Sequence, residues 1–97
     1  KMEIMMNRNA KAELFNDLHM GKCEVLFQKV NGERRKMICT LAPKALVEKF
    51  GTKYKDKVEF DAKAKAQPVF DIEKQEWRSF LYDKVINYEK MPLEERV

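Results

Sequence analysis

Two segments in the first half of the chain alternate hydrophobic and polar residues, as strands with one buried face do. They read KCEVLFQKV and ERRKMICTL, and the turn signal Asn31-Gly32 lies between them. The pattern predicts a β-hairpin. The apolar positions of its two strands are Cys23, Val25 and Phe27, then Met37, Cys39 and Leu41.

The register of this hairpin depends on its loop length, because a slip of one residue exchanges the two faces of a strand. A two-residue loop would place Phe27 beside Lys36. A three-residue loop that ends with Gly32 in the left-handed conformation places Val25 beside Met37 and keeps one face apolar. We therefore predict the three-residue loop.

The predicted register also sets Cys23 opposite Cys39. We expect both to be reduced and buried as small hydrophobic side chains. Their proximity would permit a disulfide under oxidation, although a cytosolic setting argues against one. The chain has no CxxC pair and one histidine, so neither a zinc-knuckle spacing nor a disulfide framework is present.

Helices are predicted on both sides of the hairpin. Residues 8–20 carry apolar side chains at helical spacing and precede Gly21, which predicts an amphipathic helix. The run KALVEKF between Pro43 and Gly51 predicts a second, shorter helix. Residues 52–67 are rich in lysine, and we expect a mostly exposed excursion that contains either one short edge strand or a flexible loop.

The segment VFDIEKQEWRSFLYDKVINYE predicts a second hairpin that turns near Lys74 and Gln75. The tail KMPLEERV is charged, contains Pro92 and is expected to detach from the fold. The predicted cross-strand pairs are Ile72 with Trp77, Asp71 with Arg78 and Val69 with Phe80.

These elements predict one domain over residues 1–97 that is mainly β within the α+β class. It comprises an N-terminal helix at about 8–20, a barrel at about 22–90 and a tail at 91–97. Antiparallel strands this short avoid exposed edges most readily by curling into a barrel. We expect a small antiparallel Sm-like or SH3-like barrel of about five strands.

Composition limits the function without specifying it. A chain of 97 residues has room for one modest core and not for a large enclosed active site. The formal charge of +4 permits nucleic acid as a partner. With no long apolar run and no leader pattern at the start, we expect a cytoplasmic protein without membrane contact.

Catalysis is not expected. The two thiols lie on the predicted buried face, and His19 has no metal-ligand partner at a suitable spacing. Its position near the end of a helix suits an interaction with the helix dipole. We therefore predict no enzyme activity, metal or cofactor.

Clustered cations are the main candidates for binding. Lys29, Arg34, Arg35 and Lys36 gather near the tip of the first hairpin, where they would contact a phosphate backbone or simply form a solvated, charged turn. Arg78 would hold a phosphate or pair with Asp71 across the second hairpin, and we favour the ion pair.

Aromatic residues of the last segment are a second candidate. Trp77, Phe80 and Tyr82 would offer single-stranded bases a stacking surface if they shared one face. Because side chains alternate along a strand, Trp77 and Phe80 point to opposite faces. A platform of all three is excluded, and at least one of the pair must lie in the core.

The segment WRSFLYDKVINYE resembles the closing strand of WYL-type domains. Arg78 and Phe80 match the start of that pattern, and Asp83-Lys84-Val85 matches its end. Leu81 stands where the pattern has a second arginine, and the Trp-Tyr-Leu tripeptide is absent. From Cys23 to Tyr88 the chain is similar to small phage-encoded WYL-like proteins with an Sm-like SH3 barrel.

In WYL domains those arginines are associated with ligand or nucleic-acid sensing. Taken with the cation clusters, the resemblance implies a phage accessory or regulatory module, located in the host cytoplasm, that binds nucleic acid. The alternative is a module that binds a host or phage protein, and exposed edge strands would permit oligomers. The expected binding residues are Lys29, Arg34, Arg35, Lys36, Arg78 and Lys84.

Overall fold

The computed structural model describes residues 6–92 as one antiparallel sheet with two α-helices. The five strands lie in the order β4-β3-β2-β1-β5. This confirms the predicted class, a small antiparallel five-stranded fold behind an N-terminal helix. The elements are α1 (Arg8–Met20), β1 (Lys22–Gln28), β2 (Arg34–Thr40), α2 (Pro43–Phe50), β3 (Ala66–Asp71), β4 (Glu76–Leu81), a 3-10 helix (Tyr82–Lys84) and β5 (Val85–Met91).

Helix α1 begins and ends where the sequence predicts. The side chain of Asn7 accepts a hydrogen bond of 2.9 Å from the N–H of Ala10, so it satisfies one of the unpaired donors at the helix start. The helix ends before Gly21. Leu14 and Leu18 lie on its inner face and are fully buried.

The first hairpin has the predicted register. Val25 lies opposite Met37, and Cys23 lies opposite Cys39. Gly32 has a φ of +93°, which the three-residue loop requires. All four paired side chains are buried, so the apolar face predicted from the alternation is the inner face of the sheet.

The predicted excursion over residues 52–67 forms a loop as far as Lys65, whereas Ala66 and Gln67 belong to β3. Residues 51–65 contain no strand. Two aspartates fold the loop locally, because Asp56 accepts the N–H of Val58 at 3.0 Å and Asp61 accepts the N–H of Lys63 at 2.9 Å. Such side-chain bonds give the backbone an alternative to strand pairing.

The second hairpin forms, but its predicted register is wrong by two residues. The predicted pairs are replaced by Phe70 with Trp77, Val69 with Arg78 and Asp71 with Glu76. A shift of two keeps every side chain on its predicted face.

A longer turn causes this shift. The carboxylate of Asp71 accepts the N–H of Lys74 at 3.0 Å, and Gln75 takes the left-handed conformation with a φ of +57°. The N–H of Gln75 then donates to the carbonyl oxygen of Asp71 at 2.7 Å. The turn therefore closes between residues 71 and 76.

The single last strand of the prediction is divided in two. The 3-10 helix Tyr82–Lys84 ends β4, and β5 then pairs with β1 on the other side of the sheet. Lys90 and Met91 lie in β5, so the expectation that the tail detaches from Lys90 onward is wrong for these two residues. Pro92 follows β5 outside any strand, and residues 93–97 of the predicted tail lie outside the described residues.

The core lies between α1 and the inner face of the sheet. Between residues 6 and 92, no helix is both long and apolar enough to cross a membrane. The buried residues that form the core cluster are Leu14, Leu18, Cys23, Val25, Met37, Cys39, Leu41, Val69, Phe80, Tyr82 and Val85.

Candidate functional site

The structure separates the six predicted binding residues into three pairs. Each pair lies in a different environment. Lys29 and Lys84 line one cleft, Arg35 and Arg78 meet at Asp71, and Arg34 and Lys36 lie exposed on β2.

The tip cleft is a cavity of about 460 Å³ between the loop of the first hairpin and the end of β4. Phe27 and Phe80 contribute two rings to it, with centroids 6.3 Å apart and planes inclined by 26°. Val30 and Leu81 add exposed apolar side chains, 95% and 41% exposed. A largely apolar cleft of this size lies within the range of small-ligand pockets.

Two lysines give the tip cleft its charge. Nζ of Lys29 lies 3.5 Å from Oε1 of Glu33. This ion pair is exposed, so it contributes little to stability in water. Among residues 6–92, no ion pair engages Lys84. Both side chains line the cavity, so an anionic group beside an occupant of the cleft would meet two cations.

Arg35 and Arg78 converge on one buried carboxylate. Their guanidinium nitrogens lie 3.5 and 3.7 Å from Oδ2 of Asp71, which is 1% exposed. Nη1 of Arg78 also lies 2.9 Å from Oε2 of Glu76. The predicted ion pair of Arg78 with Asp71 is therefore present, although the two residues are not directly opposite each other. This arrangement favours a structural role for both arginines.

Arg34 and Lys36 lie on the outer face of β2, opposite Gln28 and Leu26 of β1. Both are exposed, and within the described part of the chain neither takes part in an ion pair. They remain available to an anionic partner that approaches the hairpin tip from outside.

Three aromatic residues, two of them close in the sequence and the third distant, form a partly exposed cluster, here called the aromatic platform. It consists of Phe50, Tyr54 and Trp77. The ring of Phe50 lies 5.8 Å from that of Tyr54 and 6.3 Å from that of Trp77, with interplanar angles of 22° and 15°. Phe50 and Trp77 are 45% and 42% exposed.

The backbone explains how the platform forms. Gly51 ends α2 with φ +98° and ψ 167°, a region open essentially to glycine alone. The N–H of Tyr54 donates to the carbonyl oxygen of Gly51 at 3.0 Å, and this turn returns Tyr54 toward Phe50. Phe70 lies opposite Trp77 and meets the rings of both Phe50 and Trp77 edge to face.

Phe80 and Tyr82 are both buried, whereas Trp77 is exposed. The exclusion of a platform from these three residues is therefore confirmed. The sequence signal for the real platform is the segment KFGTKYK, residues 49–55, where aromatic residues alternate with lysines. The contribution of Trp77 has no local signal, because the sheet brings it to this segment.

A family model described as WYL_2, Sm-like SH3 beta-barrel fold, matches residues 11–86. The chain belongs to this family. The match covers most of the chain and takes in most of α1, so it is wider than the resemblance from Cys23 to Tyr88. No curated protein and no solved structure matches the chain.

WYL_2 membership indicates a small binding or regulatory domain with the fold described above. The closing segment that carries the resemblance spans β4, the 3-10 helix and the start of β5. Leu81, at the position of the missing arginine, lines the tip cleft beside Lys84. In this WYL_2 domain that position therefore contributes apolar surface instead of charge.

The two thiols of the WYL_2 domain are buried in the core. Burial, with a smaller effect of Asp17, raises the pKa of Cys23 to about 12. Burial also raises the pKa of Cys39. Thiolates are the nucleophilic and metal-binding form, so both side chains behave as hydrophobic groups at neutral pH. Residues 6–92 contain no group of three or more potential metal ligands.

Proposed function

We propose that this WYL_2 protein is a non-catalytic binding module that contacts nucleic acid through the tip cleft. The observation that carries the proposal is the meeting of Lys29 and Lys84, distant in the sequence, at a cleft lined by Phe27 and Phe80. An unpaired base would contact the apolar surface, and the neighbouring phosphates would contact the two lysines.

Exposed cations around the hairpin tip support the proposal. Arg34 and Lys36 have no ion-pair partner within residues 6–92, and Lys29 has only an exposed one. Cations that contact phosphates release condensed counterions, which favours binding at low salt. Arg35 and Arg78 are assigned a supporting role, because Asp71 engages both of them.

The absence of catalysis belongs to the same proposal. A nucleophile needs an activating base or a lowered pKa, and the pKa values of Cys23 and Cys39 are raised. The similarity to phage-encoded WYL-like proteins suggests an accessory or regulatory role during infection. Binding without chemistry suits such a role.

The test measures binding of a short, labelled single strand of mixed sequence by fluorescence anisotropy at several salt concentrations. We expect the double variant Lys29→Gln/Lys84→Gln to bind more weakly. The plot of log affinity against log salt should become shallower, and the magnitude of its slope should decrease by about 1.4. This corresponds to two lost phosphate contacts on a single strand.

The matched control is Lys63→Gln/Lys65→Gln, which removes the same charge from two exposed lysines in the loop before β3. A control that loses as much affinity as the cleft variant would assign the effect to net charge and refute the tip cleft as the site. A partner that is retained from lysate after nuclease treatment, with weak salt dependence, would favour a protein partner instead.

A further inference from the structure

We infer that the aromatic platform of Phe50, Tyr54 and Trp77 is a second binding surface, at which unpaired bases of single-stranded nucleic acid stack. None of its residues lines the tip cleft. The inference rests on the proposed function for the class of ligand, whereas the surface itself is argued from its own geometry.

Two rings of the platform are exposed, and Tyr54 is partly buried. Phe50 and Trp77 keep more than two fifths of their surface exposed, and the planes of Tyr54 and Trp77 are inclined by 22° and 15° to the plane of Phe50. The buried ring of Phe70 supports two of them, with centroids 5.5 Å from Phe50 and 5.6 Å from Trp77. Stacking on such rings therefore requires little reordering of the protein.

Residues 48–57 carry four lysines against Glu48 and Asp56, and this excess of positive charge favours a polyanion. Exposed lysines flank the aromatic residues along the chain, and the nearby Asp56 is engaged at 2.9 Å by Nε2 of His19. A proline-rich peptide would also fit aromatic ridges, but the excess of positive charge would not strengthen its binding. The exposed lysines of residues 49–57 are Lys49, Lys53, Lys55 and Lys57.

The form of the nucleic acid follows from the exposed rings. A base offers its flat face to an aromatic side chain only when it is unpaired and unstacked, so a duplex would not occupy the platform. Stacking is available to every base, and the platform has no described feature that would read a 2′-hydroxyl. We therefore expect single-stranded DNA and single-stranded RNA to bind with similar affinity.

Trp77 is the only tryptophan in the chain, so its fluorescence reports directly on the platform. Titration with oligothymidine or oligouridine should quench the emission of Trp77, and a duplex of the same length should leave it nearly unchanged. Equal quenching by duplex and single strand would overturn the stacking mode.

Substitutions separate the platform from the tip cleft. We expect Tyr54→Ala and Phe50→Ala each to weaken single-strand binding by about fivefold or more. Because Phe50 also contacts Phe70, a second variant avoids the packed rings and replaces exposed side chains alone. This variant is Lys49→Gln/Lys53→Gln/Lys55→Gln, and its matched control is Lys63→Gln/Lys65→Gln/Lys90→Gln.

Each outcome is decisive. Normal affinity and normal Trp77 quenching in both Tyr54→Ala and the platform lysine variant would overturn the platform, whatever the tip-cleft variant does. Weak binding by the platform variants with normal binding by Lys29→Gln/Lys84→Gln would support the platform and refute the tip cleft. Quenching by a proline-rich peptide but by no oligonucleotide would overturn the platform as a nucleic-acid surface, while the anisotropy assay would still test the tip cleft separately.

Discussion

The hydroxyl of Thr40 donates a hydrogen bond of 2.6 Å to the carbonyl oxygen of Gly21, so it joins the end of β2 to the end of α1. The hydroxyl oxygen of Thr40 also accepts the N–H of Ala42 at 2.9 Å, at the start of α2. The N–H of Leu41 donates to the carbonyl oxygen of Leu18 at 2.9 Å beside it. One buried side chain therefore connects three elements.

Replacing this hydroxyl should destabilise the fold. Thr40→Val keeps the shape of the side chain but leaves buried backbone groups without their partner, which should lower the free energy of unfolding by about 1–3 kcal/mol. Urea denaturation measures the change. Thr52→Val, at an exposed position, is the control and should stay within about 0.5 kcal/mol. Equal losses in the two variants would contradict the role of Thr40.

The buried thiols should react slowly. Cys23 and Cys39 are both fully buried, so a thiol reagent should label them slowly in the native protein and rapidly in denaturant. Rapid labelling of both in the native protein would contradict their burial in the first hairpin. The measurement is the rate of colour development with an aromatic disulfide reagent.

The raised pKa of Cys23 predicts a loss of stability at high pH. Its folded pKa is about 12 against an ordinary value of 9.0, so the unfolded chain releases its proton first as the pH rises. The stabilisation is present in full below about pH 9 and is lost between about pH 9 and pH 12. Urea midpoints across this range measure the effect. In Cys23→Ala the free energy of unfolding should decline less steeply between these pH values. An equally steep decline would contradict the raised pKa of Cys23.

Asp71 should matter more to stability than either arginine that it engages. Its carboxylate is buried, accepts the N–H of Lys74 and lies beside both guanidinium groups. Asp71→Ala should therefore cost about 2 kcal/mol or more. Arg78→Ala, at a partly exposed side chain, should cost no more than about 1 kcal/mol and should leave oligonucleotide affinity unchanged.

Chemical denaturation of both variants, with binding measured in parallel, tests this order. A loss of binding in Arg78→Ala without a change in stability would show that the guanidinium contacts the ligand. That result would move the proposed site from the tip cleft to the arginine pair.

Gly51 should be intolerant of side chains although there is open space around it. No heavy atom lies within 4 Å of a Cβ built at this position, so the cost of Gly51→Ala is backbone strain, about 1–3 kcal/mol. Because the turn at Gly51 positions Tyr54, single-strand affinity should fall as well. Lys53→Ala, in the same loop, controls for stability. An unchanged melting temperature in Gly51→Ala would contradict the strain argument.

Local signals were enough to predict several features of this protein. The alternation around Asn31-Gly32 predicted the register of the first hairpin, because only one loop length keeps its inner face apolar. The apolar spacing and Gly21 predict α1 with the bounds that it has in the structure. The alternation of Trp77 and Phe80 also predicted correctly that they lie on opposite faces.

Tertiary structure decided the remainder. Strand β5 exists as a separate element because β1 offers it a pairing edge, and the second hairpin shifted because the carboxylate of Asp71 closes a longer turn. The tip cleft and the aromatic platform each unite residues far apart in the chain. A sequence records which side chains are present and at what spacing, whereas long-range strand pairing determines which of them meet.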